Sequence, residues 1–298
     1  MGLGNRKVVV VGVGAIGTNT AKLLAKAGIG SITLIDRDFV ELKNLQRQRL
    51  FTKKDVGMPK AAVAKKKLKK INSKTKMKAV VADLDYKNAD LLASDLVLDC
   101  TDNFETRFLI NDYCRKHRIP WIYAAVIRGI GTVYSIMPEG ACFSCIFSNH
   151  ASFETCDTAG VLNAVVAATA SIQASEAVKI LLNKDYERDM VRITAQQPRL
   201  LKLKVKKNKN CSCCRGNYDY LTGKKGSKTI KLCGTNSYHI KGKPVNLRLL
   251  LKKIKNRKIK NFGYCIHLNN ITLFRDGRAI VKAASKEKAK SAYSRLVG

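Results

Sequence analysis

The sequence lacks three features that would place the protein outside the cytoplasm or outside the globular class. No charged-then-apolar signal segment precedes the first strand, which starts at residues 6–11, so we expect no export. The longest apolar stretch, residues 159–182, contains Asn163, Gln173, Glu176 and Lys179, which favours a buried helix over a membrane span. Internal repeats are absent, as are low-complexity segments other than lysine runs. We therefore expect a globular, cytoplasmic protein.

Acidic residues are scarce. The 298 residues include 56 Lys and Arg but only 22 Asp and Glu, which leaves a formal net charge of +34. After Asn217 there are 20 basic residues and 3 acidic ones, so the basic charge is densest at the C-terminal end. Such a charge suggests an acidic partner such as a protein, a nucleotide or RNA, or simply a solvated lysine surface. It carries no information about the fold.

Apolar runs alternate with helical patterns over the first two thirds of the chain. Hydrophobic residues make up 46% of the sequence, enough for a sizeable core in one domain or two. The pattern predicts an α/β fold with a Rossmann-like, doubly wound and mainly parallel sheet. The predicted strands lie at residues 7–12, 31–35, 78–82, 95–100, 121–125 and 131–136. The predicted helices lie at residues 15–28, 58–72 and 160–182.

The sequence changes character after a lysine-rich connector at residues 202–209. From Tyr218 onward it predicts a strand near 228–232, a helix over 247–255, a hairpin over 265–274 and a final helix over 286–296. We therefore predict two domains, residues 1–216 and a small basic α+β module at residues 217–298.

A glycine-rich loop follows the first strand. The sequence Gly12-Val13-Gly14-Ala15-Ile16-Gly17 opens a helix, and Asp36 ends the second strand. Glycines in this position allow a tight turn and let the backbone approach a phosphate, while a carboxylate about 20 residues later can bind a ribose. Taken alone, the motif predicts an adenine-nucleotide site, and NAD is its commonest ligand.

Charged residues beyond Asp36 favour a triphosphate instead. Arg47, Lys60 and Asp102 follow at positions where the predicted strands and loops would bring them to one site. A hydride-transfer site has no task for these charges, whereas ATP and its magnesium ion do. Each charge taken singly would more often be an ordinary surface residue.

Ten cysteines include two pairs with CxxC spacing. The pairs are Cys142 with Cys145 and Cys211 with Cys214, separated by about 65 residues. Four thiolates with this spacing can hold a structural Zn²⁺ that staples two distant segments, as expected in a reducing compartment. Cys213 is the spare thiol of the second pair and could in principle replace Cys214.

Cys156 precedes the long apolar helix, in the sequence Glu154-Thr155-Cys156-Asp157-Thr158. A helix N-terminus lowers the pKa of a thiol, so Cys156 is a candidate nucleophile. The alternative is an inert, buried cysteine. We also expect Cys100, Cys114, Cys233 and Cys265 to be core residues.

Together these motifs resemble the ubiquitin-activating, E1-like superfamily in its ThiF, MoeB and HesA branch. The resemblance spans residues 7–216, through GxGxxG, DxDxVExxNLxRQ, GxPK, DCTDN, both cysteine pairs and TCxTAGV. It implies an ATP-dependent adenylyltransferase that activates the C-terminal glycine of a small ubiquitin-like sulfur carrier ending in Gly-Gly. It implies that ATP and Mg²⁺ are bound by Gly12, Gly14, Gly17, Asp36, Asn44, Arg47, Gln48, Lys60, Asp102 and Asn103. Arg47, Lys60, Asp102 and Cys156 are the implied catalytic residues, the last through a thioester or persulfide.

The resemblance also implies partners. We expect a homodimer, a carrier for thiamine, molybdopterin or tRNA thiolation, and a separate sulfur-donor protein. The family's arginine-bearing N-terminal segment has no counterpart, since Arg6 is the only arginine before the glycine loop. The alternatives are an NAD-dependent dehydrogenase, a tRNA-modifying relative of the threonylcarbamoyladenosine dehydratase type, and a non-catalytic carrier- or tRNA-binding scaffold.

Overall fold

The computed structural model describes residues 2–147, 161–225, 229–232, 237–240, 242–254, 259–263 and 265–297. The chain separates into two compact units, Met1–Lys225 and Gly226–Gly298. This boundary lies later than the sequence-based one after residue 216. The reason is that Tyr220 packs on the first unit, where its ring stacks on Phe108 with the ring centroids 4.9 Å apart.

The first unit is built on one eight-stranded sheet in the order β3-β2-β1-β4-β5-β6-β7-β8. Strands β1 to β5 run parallel to one another, whereas β5 to β8 form an antiparallel extension. The bounds are β1 Lys7–Val11, β2 Ser31–Ile35, β3 Lys76–Val80, β4 Leu96–Asp99, β5 Trp121–Ile127, β6 Ile130–Ile136, β7 Met190–Thr194 and β8 Arg199–Leu203.

Helices cover both faces of this sheet. Their bounds are α1 Ala15–Lys26, α2 Lys60–Ile71, α3 Phe104–Lys116, α4 Phe143–Ile146 and α5 Asn163–Leu181. Successive residues of β1 point to opposite faces, so that Val8 and Val10 pack in a core with α1, α2 and α5. Val9 and Val11 pack in a second core with Phe108 and other residues of α3. A strand buried on both sides must be apolar at every position, which explains the continuous valine run.

Helix α5 is long and apolar enough to cross a membrane by length and composition alone, with a mean hydropathy of 1.3. More than half of it is buried inside the protein, at 56%. Its buried face includes Val165, Ala170 and Ala177, which pack in the same core as β1. The helix therefore serves as a core helix of the first unit, as the interrupting polar residues predicted.

The second unit contains a six-stranded sheet in the order β11-β12-β13-β14-β10-β9. All of its strand pairs are antiparallel. The bounds are β9 Thr229–Leu232, β10 Ser237–Ile240, β11 Lys260–Asn261, β12 Cys265–Leu268, β13 Ile271–Phe274, β14 Ala279–Lys282, α6 Leu247–Lys253 and α7 Lys286–Val297. The hairpin between β12 and β13 turns at Asn269, whose φ of 51° suits a tight turn.

These elements confirm the predicted α/β class and the mainly parallel, doubly wound sheet. The sequence analysis missed α3, α4, β7 and β8 in the first unit, and β10, β11 and β14 in the second. Strand β8 includes Lys202 and Leu203, which had been assigned to the lysine-rich connector. Its short, charged pattern resembles a loop, and only pairing with β7 makes it a strand.

Candidate active site

The glycine loop joins β1 to α1. Gly12 has a φ of +87°, and a Cβ there would lie 2.5 Å from the carbonyl oxygen of Cys100. A Cβ on Gly17 would lie only 1.9 Å from the carbonyl oxygen of Gly12. At Gly14, by contrast, the nearest atom to such a Cβ is Gln48 Nε2, at 3.8 Å. Gly12 and Gly17 are therefore required for packing, whereas the backbone at Gly14 can be approached by a ligand.

Asp36 lies at the carboxyl end of β2 and binds this loop. Its Oδ2 accepts a hydrogen bond of 2.6 Å from the N–H of Val13, and its Oδ1 accepts one of 2.7 Å from the N–H of Asp38. Burial raises the pKa of Asp36, and the charge of Lys60 partly opposes this effect. Each carboxylate oxygen has a second lone pair, so Asp36 can hold the loop and still accept a hydrogen bond from a ribose hydroxyl.

Lys60 is the first residue of α2, and its side chain is only 7% exposed. Its Nζ donates a hydrogen bond of 3.1 Å to Asp38 Oδ2. Burial lowers the pKa of the ammonium, but attraction to Asp38 and Asp36 outweighs burial, so the pKa of Lys60 is raised. A buried positive charge is thus maintained at the carboxyl edge of the sheet, beside the glycine loop.

Asp102 follows β4 and is exposed at the same edge. Its charge contributes to the raised pKa of both Lys60 and Arg37, so the carboxylate lies within electrostatic reach of two cations. Arg37 is itself paired with Asp83, at 3.0 Å. The structure thus brings the predicted Asp36, Lys60 and Asp102 to one edge of the sheet.

The loop after β2 carries Asn44, Arg47 and Gln48. Asn44 and Gln48 are 7% and 3% exposed, and their side-chain oxygens Oδ1 and Oε1 are buried with no hydrogen-bond partner among the described residues. Arg47 is half-buried. Asn163, at the start of α5, anchors the loop by donating a 2.9 Å hydrogen bond to the carbonyl oxygen of Gln46.

The residues at and after the end of β4 have different structural roles. Asn103 caps α3, since its Oδ1 accepts a 2.8 Å hydrogen bond from the N–H of Thr106. Asp99, which sequence reasoning missed, is fully buried and paired with Arg107 at 3.2 Å. Burial raises the pKa of Asp99, although Arg107 opposes it. A buried charge pair of this kind fixes the end of β4, where Asp102 emerges.

Gln173 was also missed, because the pattern of α5 shows it only as an interruption. It is fully buried, and its Nε2 donates to the carbonyl oxygens of Asp99 at 2.9 Å and Ile122 at 3.1 Å. Its Oε1 accepts a 2.7 Å hydrogen bond from Thr20 Oγ1. One side chain thus ties α5 to β4, β5 and the helix that follows the glycine loop.

These features fit a bound nucleoside triphosphate. The open backbone at Gly14 offers a phosphate cradle at the N-terminus of α1. The unpartnered oxygens of Asn44 and Gln48 need hydrogen-bond donors, which a nucleotide has in its ribose and base. Lys60 supplies positive charge for the phosphates, and the exposed carboxylate of Asp102 is a ligand type that Mg²⁺ prefers.

The second constellation is a cysteine cluster formed by Cys142, Cys145, Cys211 and Cys214. All four Sγ atoms lie within 4.8 Å of one another. Individual Sγ–Sγ distances are 3.5 Å between Cys142 and Cys211, 3.6 Å between Cys145 and Cys214, and 3.7 Å between Cys142 and Cys145. The hydrogen bond with Cys142 lowers the pKa of the Cys145 thiol.

This donor set fits zinc. A Zn–S bond of about 2.3 Å in a tetrahedral site places neighbouring sulfurs about 3.8 Å apart, close to the distances in the cluster. The spare thiol, Cys213, is 2% exposed and instead accepts a 3.1 Å hydrogen bond from Asn111 Nδ2. Four cysteine ligands leave no position for substrate, so a metal here would be structural.

Two further cysteine predictions cannot be followed in the structure, because Cys156 and Cys233 lie outside the described residues. Cys114 and Cys265 are buried, as expected of core residues. Cys100 is partly buried, and its Sγ hydrogen-bonds to Gln173 Oε1 at 3.3 Å.

Comparisons with known proteins point to one family. The model of the ThiF family matches residues 2–213. The sulfur carrier protein ThiS adenylyltransferase of Bacillus subtilis is 33% identical, over 98% of this chain and 93% of that protein. The molybdopterin-synthase adenylyltransferase of Escherichia coli is 36% identical, over 71% of this chain and 88% of that protein.

A solved structure of Escherichia coli MccB with ATP matches with a TM-score of 0.64 and 26% sequence identity. It covers 71% of this chain and 67% of that chain. The glycine loop, Lys60 and three of the four cluster cysteines lie within the region that the family model matches, and Cys214 follows directly after it. Since that model spans well over half of the sequence, the chain belongs to the ThiF family.

Proposed function

We propose that this protein is an ATP-dependent adenylyltransferase that activates the C-terminal glycine carboxylate of a small ubiquitin-like sulfur carrier. The products are an acyl-adenylate and pyrophosphate. The observation that carries the proposal is the buried, charged Lys60 beside the glycine loop, because a hydride-transfer site needs no such cation. The relatives named as carrier-protein adenylyltransferases support it.

The residues of the site suit this reaction. Gly14 and Asp36 hold the nucleotide, Asn44 and Gln48 orient it, and Arg47 and Lys60 neutralise the charge that develops on the phosphates. Magnesium would be held by Asp102 and would add to this neutralisation. The attacking carboxylate is already ionised at neutral pH, so positioning replaces general-base catalysis.

The edge strand β8 is our candidate for the surface on which the body of the carrier docks. Three of its five residues, Leu200, Leu201 and Leu203, are exposed leucines, at 55%, 42% and 40%. Exposed apolar groups on an unpaired sheet edge are typical of protein-binding surfaces. Strand β8 belongs to the same sheet as β1, β2 and β4, whose carboxyl ends carry the residues of the nucleotide site and are called the nucleotide edge below. A carrier bound to β8 would therefore lie on the unit that contains the active site.

This docking surface can be tested by substitution. We expect Leu201→Glu to raise the KM for the carrier about tenfold, while the affinity for ATP stays unchanged. Leu249→Glu is the matched control, since Leu249 is a 57% exposed leucine of α6 in the second unit. An equal effect of both substitutions on the KM for the carrier would contradict β8 as the docking surface.

Cys156 is the proposed nucleophile of a second step. Its thiolate would attack the acyl-adenylate of the carrier, forming a thioester and releasing AMP, or attack the outer sulfur of a persulfide on the sulfur-donor protein, forming a Cys156 persulfide and releasing the donor's thiolate. A separate protein would supply the sulfur, and we propose that the enzyme acts as a homodimer. A covalent conjugate between carrier and enzyme, trapped without reductant and absent from Cys156→Ala, would support the second step. Formation of the same conjugate by Cys156→Ala would contradict it.

The central test is pyrophosphate exchange. Purified protein, ATP and labelled pyrophosphate are mixed with candidate carriers that end in Gly-Gly, and incorporation of label into ATP is measured. We expect exchange with the cognate carrier and none with the same carrier lacking its last glycine. Absence of carrier-dependent exchange throughout the panel would contradict the proposal, and tight binding of NAD but not ATP would favour the dehydrogenase.

A further inference from the structure

Lys60 occupies an unfavourable position for a cation. It is the first residue of α2, where the helix dipole places partial positive charge, and its side chain is almost completely buried. Both effects raise the free energy of the ammonium form. The fold must therefore contain groups that keep this side chain charged and fixed.

Asp38 contacts Lys60 at both ends of the residue. The backbone N–H of Lys60 donates a 2.9 Å hydrogen bond to the carbonyl oxygen of Asp38, and Nζ donates a 3.1 Å hydrogen bond to Asp38 Oδ2. The neighbouring residues keep this register, because Phe39 forms a β-bridge with Pro59 and the N–H of Val40 donates to Met58 at 2.9 Å. The lysine is thus held in a closed loop of covalent and hydrogen bonds.

The other carboxylates that face Lys60 act on it differently. Asp36 at the end of β2 and Asp102 after β4 contribute through their charges, whereas Asp38 is hydrogen-bonded to the ammonium. The side chain of Asp38 is 37% exposed and that of Lys60 is 7% exposed, so the carboxylate lies on the solvent side of the lysine.

We propose that Asp38 is a positioning residue, which fixes the ammonium of Lys60 in the orientation that meets the phosphates of the nucleotide. This inference rests on the proposed adenylation function. An ammonium fixed before the nucleotide binds loses little conformational entropy in the transition state, so its full charge acts on the developing pyrophosphate. Asp38 itself makes no contact with the reacting atoms in this scheme.

A double-mutant cycle tests the proposal with the full-length protein. We expect Asp38→Asn, a substitution of equal size, to lower kcat for carrier-dependent exchange about tenfold with little change in the KM for ATP. In a Lys60→Met background the same substitution should change kcat by less than about twofold, because Asp38 acts through Lys60. Equal losses in both backgrounds, or no loss in the wild type, would overturn the inference.

Asp55→Asn provides the matched control. Asp38 Oδ1 also lies 3.7 Å from Arg37 Nε, whereas Asp55 is paired with Lys67, another lysine of α2, outside that contact. Substitution of Asp55 should therefore have the same effect whether or not Lys60 is present. If Asp38→Asn does not fold, Asp38→Ser enters the same cycle, with thermal unfolding as the check on folding.

A second measurement does not depend on the enzyme's function. An amine-reactive reagent is applied at constant pH, and modification of Lys60 is followed by peptide mass spectrometry. We expect severalfold faster modification of Lys60 in Asp38→Asn than in the wild type or in Asp55→Asn. Unchanged modification would overturn the role of Asp38, whereas failure of exchange in the wild type alone would overturn only the proposed function.

Discussion

The nucleotide edge and the cysteine cluster are both made of polar side chains from distant segments, yet their polar groups are arranged differently. At the nucleotide edge, Asn44 and Gln48 keep buried oxygens without partners among the described residues, and Lys60 is charged at a helix N-terminus. In the cluster, four thiols lie close enough to share one ion.

The nucleotide edge holds buried polar groups whose burial is unfavourable until a ligand binds, whereas the cysteine cluster joins two distant segments and stabilises the fold. Unpartnered buried acceptors and buried charges destabilise the folded protein until a ligand pairs with them. A closed four-sulfur site stabilises the fold and offers nothing to a substrate. Substitutions at the two sites should therefore affect different measurements.

The largest expected effect is on catalysis. Arg47→Ala should lower the rate of pyrophosphate exchange by about 100-fold to 1,000-fold, because a cation that neutralises the transition state is lost. The free energy of unfolding should change by no more than about 1 kcal/mol. Arg49→Ala, in the same loop but exposed, is the control and should retain exchange. Similar losses of exchange in both variants would contradict the catalytic role proposed for Arg47.

Substitution of a ligand in the cysteine cluster should mainly affect stability and metal content. We expect Cys142→Ser to lose bound zinc and to destabilise the protein by more than about 3 kcal/mol, since a structural metal ligand is removed. Metal analysis and urea unfolding measure the two effects. Cys213→Ser is the matched control, because Cys213 is equally buried but bonded to Asn111, and it should keep its zinc. Zinc retained by Cys142→Ser would contradict the assignment.

Two glycines of the same loop should separate folding from binding. Gly17→Ala would place a Cβ against the carbonyl oxygen of Gly12, and we expect about 3 kcal/mol of destabilisation. Gly14→Ala has room for its Cβ in the folded protein and should remain stable, but it should weaken ATP binding about tenfold. Calorimetric titration with ATP measures the second effect. Tight ATP binding by Gly14→Ala would argue against the cradle.

The smallest effect concerns pH. Asp112 binds the segment after the cluster, accepting a 2.9 Å hydrogen bond from the N–H of Tyr220, and burial raises its pKa to about 6. A raised pKa in the folded state means that its contribution to stability is present below about pH 4 and is lost as the pH rises to about 6.

Asp112→Asn should abolish this loss, which amounts to about 2 kcal/mol. The free energy of unfolding, measured in urea at about pH 4 and about pH 7, should therefore fall less with rising pH in the variant than in the wild type. Glu139→Gln, which removes an exposed carboxylate paired with Arg118, should follow the wild type. Identical pH profiles for Asp112→Asn and wild type would contradict the prediction.

Much of the fold follows from local patterns. The strand Ser31–Ile35 and the hairpin at Asn269 were predicted at the observed residues, because β-branched runs and turn residues act within a few positions. Strand β8 was missed because five residues with three leucines and two cations are ambiguous without their partner strand. Helix α3, which was not predicted, begins at the cap formed by Asn103.

Residue order was sufficient to identify the glycine loop, Asp36 and the two cysteine pairs, since each is a short motif with its own chemistry at a fixed spacing. Only the folded chain joins Gln173 to Asp99 and Asp38 to Lys60. The tertiary structure also distinguishes Gly14, which is open to a ligand, from Gly17, which is packed against Gly12. The physical reason is that hydrogen bonding, burial and charge depend on which distant segments the sheet brings within a few ångströms, and spacing along the chain does not record this.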